Sequence, residues 1–396
     1  MSRHPRNSIK DLRGAARLAV VSTTAASEVV ESMHSTIAGR RVNYPRPVTN
    51  FVYRSIRGVA RVAGAGLDKA LAPLEKLVAD TTPGPKRATL IAVLNGVVGD
   101  HLAETDNPLA VTMRFCRDRE PLHLDAASLR AAIPDINGKI LVLLHGLCGN
   151  DAVWLREGHN HGEALARDLG YTPVYLSYNT GKHISENGRE FADLMEQLVQ
   201  AWPVPVEDLV LFGHSMGGLV ARSACHYSEE SPAQQWRSKL TTLICLGTPH
   251  HGAPLERGGN GLQTLAGISP YVAPLGRLGK LRSAGITDLR YGAFLDGHCV
   301  GSDRFEPVGD TREVCDLPAG VTCYAVAGTM SLRGRNHPLG DGMVPIASAL
   351  GQHEDPRLAL NFPVENTHLV TDTGHLDLLG SAEVYDVIKD WLSRPT

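Results

Sequence analysis

The sequence predicts an α/β fold in which helices flank a mostly parallel, doubly wound sheet. Hydrophobic residues make up 43% of the 396 residues, which is enough for a substantial core. Continuous apolar runs, each followed by turn residues or a helical pattern, occur at residues 139–144, 173–176, 209–212, 241–245 and 321–327. Such runs are typical of strands buried on both faces, as in parallel sheets covered by helices.

The first 90 residues differ from the rest of the chain in charge. Residues 1–90 contain 15 Lys and Arg against 6 Asp and Glu, a net charge of +9. Because the whole chain carries −3, residues 91–396 carry −12. The asymmetry predicts a basic N-terminal extension (1–90) and an acidic main domain (91–396).

The extension is predicted to be helical. Within 51–80, apolar residues recur every three or four positions, with Arg54, Arg57 and Arg61 on the other side. One interpretation is a helical hairpin that packs on the catalytic body or mediates self-association. The other is a basic amphipathic face that makes peripheral membrane contact with anionic lipid. Nucleic-acid binding is not expected, because no binding motif or interleaved stacking aromatics accompany the basic residues.

Two features of the middle of the chain are scaffold. The strand 173–176 precedes a helix whose apolar face carries Phe191, Met195 and Leu198. Asn187 and Glu190 have the spacing of a capping pair and predict where this helix starts.

The strand 209–212 leads into the pentapeptide Gly213-His214-Ser215-Met216-Gly217, and a helical pattern follows. A strand that turns sharply into a helix exposes the hydroxyl of the central serine, and flanking glycines make room for that turn. The alternative is an ordinary strand-to-helix loop. The strand before and the helix after favour Ser215 as a nucleophile.

A general base and an orienting acid follow later in the chain. Asp341 lies in the loop after the strand 321–327, although Asp341-Gly342 alone is also typical of a plain turn. His375 precedes a terminal amphipathic helix, whereas the rival base His368 lies in the strand-like segment 366–370 and is expected to be structural. The order Ser215, Asp341, His375 is that of one class of serine hydrolases.

These motifs resemble an α/β-hydrolase of the lipase and esterase kind, and most of all bacterial lipase-like proteins related to the inositol-deacylase group. The resemblance spans about residues 138–394. The residues that carry it are His145-Gly146-Leu147, Gly213-His214-Ser215-Met216-Gly217-Gly218, Leu246-Gly247-Thr248-Pro249-His250-His251-Gly252, Asp341-Gly342-Met343-Val344-Pro345 and Gly374-His375.

The resemblance implies an α/β-hydrolase fold and a serine esterase or lipase that cleaves hydrophobic acyl esters without a metal or organic cofactor. It implies an oxyanion hole made by the backbone N–H groups of Leu147 and Met216. The insertion at about 253–318 is expected to be a lid, or else a surface excursion with no gating role. The residues expected around the substrate are His145, His214, Thr248 and His250.

Other functions on the same fold stay open. An acyltransferase or a thioesterase would use the same three residues, and a non-catalytic binding protein is the competing class. A metal site at His159-Asn160-His161 or His250-His251 is not expected, because neither has the spacing of a known zinc signature.

The seven cysteines form no CxxC pair, and no signal-type apolar segment follows the basic start. We therefore expect free thiols and a cytoplasmic protein, with membrane association through the extension as the open alternative. A Cys299–Cys315 pair would fit only an exported protein.

Overall fold

The computed structural model describes residues 85–229, 231, 233–253, 283–298, 312–332, 335–336 and 340–394. The predicted helical arm 51–80 lies outside the described residues, as does most of the predicted lid 253–318.

Within the described residues, one sheet has eight strands in the order β10-β7-β6-β5-β3-β4-β1-β2. The pairs from β10 to β4 are parallel, and β1 is antiparallel to both β2 and β4. This topology confirms the predicted α/β class. The strands are β1 (Arg114–Arg117), β2 (Glu120–Pro121), β3 (Lys139–Leu144), β4 (Thr172–Ser177), β5 (Asp208–His214), β6 (Leu240–Leu246), β7 (Thr322–Thr329) and β10 (Thr367–Thr371), with β8 (Ser331–Leu332) and β9 (Arg335–Asn336) as a separate pair.

Alternate residues of each central strand belong to two different hydrophobic cores, one on each face of the sheet. Helices therefore cover both faces. In β3, for example, Val142 belongs to the larger core and Leu143 to the smaller one. The helices are α1 (Pro85–Glu104), α2 (Ala126–Ala132), α3 (His161–Leu169), α4 (Ile184–Ala201), α5 (Met216–Glu229), α6 (Ala284–Leu289), α7 (Ile346–Ala349) and α8 (Ala382–Ser393). Residues of α1, α4 and α5 line the larger core, and those of α3 and α8 line the smaller one.

Helix α1 crosses the predicted domain boundary at residue 90. It begins at Pro85, a residue type that suits the first turn of a helix. Residues 92–99 are all buried, so this part of the helix has no solvent-exposed face. The Asn95 amide donates to Leu109 O at 2.8 Å, and the Asn179 amide donates to Gly99 O at 2.8 Å. Helix α1 is thus packed into the body that carries the sheet.

The described part of the predicted insertion is also packed on this body. The Ser283 hydroxyl donates to Gly96 O at 2.6 Å, and Ala284 N donates to Asp100 Oδ2 at 2.9 Å, so α6 is joined directly to α1. The six cysteines in the described residues, among them Cys315, are free thiols.

The predicted start of α4 is wrong by one turn. The helix begins at Ile184, whose N–H donates to Asp288 Oδ2 at 2.8 Å. Asn187 lies inside the helix and its amide donates to Asn179 O at 3.0 Å. The group that binds the free N–H comes from α6, 104 residues later in the chain, so no local pattern could reveal it.

Among the described helices, none is both long and apolar enough to cross a membrane.

Candidate active site

Ser215 lies between β5 and α5, at the carboxyl end of the sheet. Its φ is +56°, in the left-handed region that costs an L-residue about 1–2 kcal/mol. The strain is held by hydrogen bonds on both sides: Ser215 N donates to Leu246 O at 2.8 Å, and Gly218 N donates to Ser215 O at 3.1 Å. An uncommon backbone conformation fixed in this way is typical of functional sites.

Three glycines make this turn sterically feasible. A Cβ at Gly213 would overlap the backbone of α5, and one at Gly217 would overlap Leu144 O of β3. A Cβ at Gly218 would overlap the hydroxyl of Thr248. The helix can therefore start directly against the sheet only because these positions lack side chains.

Asp341 and His375 form a buried hydrogen-bonded pair. The His375 Nδ1–H donates to Asp341 Oδ2 at 2.7 Å, and His375 N donates to Asp341 O at 3.0 Å. The other carboxylate oxygen accepts from Met343 N at 3.0 Å and Val344 N at 2.8 Å. The Asp-Gly turn and the bond to histidine, which are alternative interpretations of Asp341, thus occur together. The Nδ1 bond leaves Nε2 as the proton acceptor of the His375 ring.

Two contacts place the His375 imidazole beside the Ser215 turn. A Cβ at Gly247 would lie 3.3 Å from His375 Cε1, and Gly247 follows Leu246, the residue that accepts from Ser215 N. The rings of His375 and His214 are 4.7 Å apart between centroids, and His214 immediately precedes Ser215.

The rival base is engaged elsewhere. His368 lies in β10, where it is paired in parallel register with Val326 of β7. Its Nε2 lies 2.9 Å from Oε1 of Glu383 on α8, and its side chain is about one-third exposed.

The loop at residues 145–149, which we call the oxyanion loop after the role that the resemblance implies, adjoins Ser215. A Cβ at Gly146 would lie 2.9 Å from Ser215 Cβ. The Tyr178 hydroxyl donates to His145 O at 2.6 Å, and Gly149 N donates to Gly146 O at 3.1 Å, which closes a tight turn around Leu147. Met216 is the first residue of α5, so its N–H is among the helix N-terminal groups that have no partner within the helix.

All four residues expected around the substrate are buried, with at most 2% of their surface exposed. The ring of His145 stacks on that of Tyr178 at 4.4 Å, and its Nδ1–H donates to Gly146 O at 2.9 Å. Burial lowers the pKa of His145 to about 4, so the ring is neutral at pH 7. This position fits a brace for the oxyanion loop.

His214 supports the loop of His375. Its Nε2–H donates to the backbone carbonyl of His375 at 3.1 Å. Burial holds the pKa of His214 well below its usual range, with the neighbouring His375 as a smaller cause. A neutral ring with one donor suits this contact, so the geometry supports a positioning role for His214.

Thr248 and His250 belong to the turn after β6. Thr248 packs against Gly218 at the start of α5. Nδ1 of His250 accepts from Arg222 at 3.3 Å, and the Arg222 guanidinium also donates to Cys315 O at 2.6 Å. Burial is the main reason why the pKa of His250 is well below its usual range. Both side chains therefore join this turn to α5.

The segment that leads into α3 supports the loop of His375, and the sequence pattern did not reveal this support. The His161 Nε2–H donates to Leu378 O at 2.9 Å, and His161 Nδ1 accepts from His159 Nε2 at 2.9 Å. The Arg156 guanidinium pairs with Asp377 two residues after the base. The cluster His159-Asn160-His161 was the available signal, but it was considered only as a metal site, which its spacing did not favour. Across the described residues, no three metal-binding side chains converge.

This chain resembles one protein family over part of its length. A family model described as PGAP1-like alpha/beta domain matches residues 135–275. Among curated proteins, none matches the chain.

Several solved structures of bacterial and archaeal proteins are similar in outline. The lipase BlEst2 of Bacillus licheniformis in mature form has 18% identity and a TM-score of 0.42, over 65% of this chain and 93% of that one. A protein of Listeria innocua has 15% identity and a TM-score of 0.38, over 66% and 96% of the two chains. The esterase Pf2001 of Pyrococcus furiosus has 14% identity and a TM-score of 0.37, over 65% and 83%.

The matched segment 135–275 contains the oxyanion loop, the Ser215 turn and the turn at Thr248. It thus covers three of the five motifs on which the predicted resemblance depends. The match confirms that this chain resembles the PGAP1-like group of α/β-hydrolases.

Proposed function

We propose that the protein is a serine ester hydrolase that cleaves hydrophobic acyl esters through an acyl-enzyme on Ser215. The observation that carries the proposal is the buried Asp341–His375 hydrogen bond of 2.7 Å beside a serine at φ +56°. A nucleophile, a base and an orienting acid on three loops at one edge of a sheet are the groups that acyl transfer requires.

In the proposed first step, His375 Nε2 removes the proton of Ser215 as Oγ attacks the acyl carbonyl carbon. Asp341 keeps the other ring proton on Nδ1 and stabilises the imidazolium that forms. The tetrahedral intermediate collapses, the ester C–O bond breaks, and His375 returns the proton to the departing alcohol. The acyl group is then bonded to Ser215 Oγ.

In the second step, a water molecule takes the place that the departed alcohol occupied beside the acyl-enzyme. His375 removes a proton from water, the resulting hydroxide equivalent attacks the acyl carbon, and Ser215 leaves with the proton restored. The N–H groups of Leu147 and Met216 receive the oxyanion in both steps. Each step uses only side chains and backbone groups of this chain, so the proposal requires no metal or organic cofactor.

The proposed hydrophobic acyl group is supported by the surroundings of these donors. Leu147 and Met216 both belong to the larger hydrophobic core, and Met343, beside the acid, packs against it. An apolar surrounding favours an apolar acyl chain, because burying that chain releases water from it.

The test is hydrolysis of p-nitrophenyl esters from acetate to palmitate by the wild type and Ser215→Ala in parallel. We expect activity in the wild type and a loss of several orders of magnitude in the variant. The chain-length optimum separates an esterase from a lipase. Equal activity in both proteins, or none in a folded wild type, would contradict the proposal. Adding a primary alcohol reveals an acyltransferase, since a new ester would then form.

A further inference from the structure

Helix α1 lies directly behind the oxyanion loop. On one side of this loop, Gly146 approaches Ser215; on the other, Cys148 approaches α1. The Cys148 Sγ lies 3.9 Å from Val93 O, and a Cβ at Gly96 would overlap that sulfur. The loop therefore lies between the Ser215 turn and a helix that ends more than 40 residues earlier in the sequence.

The contact at Gly96 involves backbone as well as side chain. A Cβ there would lie 3.0 Å from both N and Cα of Cys148, closer than ordinary carbon contacts. Cys148 N in turn donates to Thr180 Oγ1 at 3.1 Å. Since Leu147 immediately precedes Cys148, a shift of the Cys148 backbone would reorient the Leu147 peptide group.

Cys148 adopts a conformation that a cysteine rarely takes. Its φ is +59°, in the region that favours glycine. The thiol is inert as a nucleophile, because burial raises its pKa to about 12. Its volume is therefore the property that matters: it fills the space between the loop and α1 at the position where α1 has a glycine.

We propose that Gly96 and Cys148 are positioning residues of the oxyanion hole, and that their contact sets the direction of the Leu147 N–H. The inference rests on the proposed function. It assigns to α1, which lies outside the segment matched by the family model, a part in transition-state stabilisation. The loop alone cannot fix the direction of the Leu147 N–H, since a cysteine in the left-handed region is maintained only by contacts with surrounding structure.

The same helix provides a matched control. Gly99 also faces the body, and a Cβ there would overlap the Asn179 side chain of the loop after β4. Gly96→Ala and Gly99→Ala are therefore the same substitution on one helix, on either side of a kink at Val98, and the three atoms nearest to each new methyl group belong to a single residue. Of these two glycines, Gly96 contacts the oxyanion loop and Gly99 contacts the loop after β4.

The experiment measures kcat, KM and melting temperature for the wild type, Gly96→Ala, Gly99→Ala and the double variant Gly96→Ala/Cys148→Ala on the best p-nitrophenyl ester. Removing an oxyanion donor typically lowers kcat by about 10²–10³-fold, so a displaced donor should lower it by about tenfold or more. We expect this loss in Gly96→Ala with KM within about twofold, because the planar ground state does not need the donor. Gly99→Ala should keep kcat within about threefold, and the double variant should recover part of the loss.

Three results would overturn the inference: unchanged kcat in Gly96→Ala, an equal loss in Gly99→Ala, or a loss that appears only in KM. If Gly96→Ala does not fold, Cys148→Gly decides, since glycine relieves the left-handed strain but leaves the space empty. A folded Cys148→Gly with wild-type kcat would then overturn it. A wild type that hydrolyses no ester contradicts the proposed function and this inference together, whereas an active wild type with an unaffected Gly96→Ala contradicts the inference alone.

Discussion

Ser215 can adopt its left-handed conformation because three neighbouring residues are glycines, which have no Cβ. Gly213, Gly217 and Gly218 allow the start of α5 to contact β5, β3 and Thr248, and Ser215 is the residue at the turn itself. A pentapeptide pattern is informative here because each glycine has a separate steric reason. This turn is local in sequence, and that explains why it could be predicted.

Gly218→Ala should destabilise the fold even though alanine is the better helix former. The new methyl group would overlap Thr248 Oγ1, and overpacking a tight core costs about 1–3 kcal/mol. Chemical denaturation should show this loss. Thr248→Ala added to Gly218→Ala should recover part of it, and a double variant no more stable than Gly218→Ala would contradict the assigned contact.

The two candidate bases can be separated by a pair of identical substitutions. His375→Ala should lower kcat by at least about 10³-fold, because nucleophile and base act as a unit. His368→Ala should leave kcat nearly unchanged, since that imidazole contacts Glu383 on the surface. The rates of ester hydrolysis decide, and a larger loss in His368→Ala would exchange the two roles.

At the scale of elements, the start of α4 depends on α6. Asp288 is 3% exposed, accepts from Ile184 N at 2.8 Å and lies 3.1 Å from Nδ1 of His183. The described end of the insertion thus supplies the cap of a central helix. This explains why the capping pair at Asn187 and Glu190 was the wrong prediction.

Asp288→Ala should therefore cost more stability than Asp288→Asn. Loss of a helix cap costs about 0.5–2 kcal/mol, and the amide oxygen of asparagine can still accept from Ile184 N. Urea unfolding of the two variants gives the comparison. Equal losses would show that the charge on Asp288, rather than the capping hydrogen bond, is the important property.

The sequence predicts elements well where the information is local. The strands β3, β5, β6 and β7 appear as continuous apolar runs because both faces of the sheet are covered. The packing of α1 against the oxyanion loop could not be foreseen, since Gly96 and Cys148 are far apart in the chain. The spacing of Gly96 and Gly99 was a weak signal of close packing.

At the scale of the whole molecule, several histidines are buried and neutral. Burial lowers the pKa values of His145 and His161 to about 4, and it shifts those of His214 and His250 in the same direction. In the unfolded chain these rings titrate near 6.5. Between pH 6.5 and 4 the unfolded state therefore binds more protons than the folded state, and the free energy of unfolding falls as the pH falls.

Acid should thus destabilise the protein before most of its carboxylates become protonated. For His161 alone, a shift from 6.5 to about 4 corresponds to roughly 3 kcal/mol lost across this window. Urea unfolding at pH 7.5 and 4.5 measures the loss. His161→Phe should show a smaller loss than the wild type between these two values, and an identical loss would contradict the assignment.

The position of α1 changes where a functional fragment could be cut. The matched segment 135–275 contains Ser215 but neither Asp341 nor His375, so excising it would separate the proposed nucleophile from its proposed base. A fragment that starts at residue 105 would keep all three residues and still lose the helix behind Cys148. For expression or transplantation into another protein, a fragment that preserves this site has to include the helix from Pro85, which lies 50 residues before the recognisable similarity.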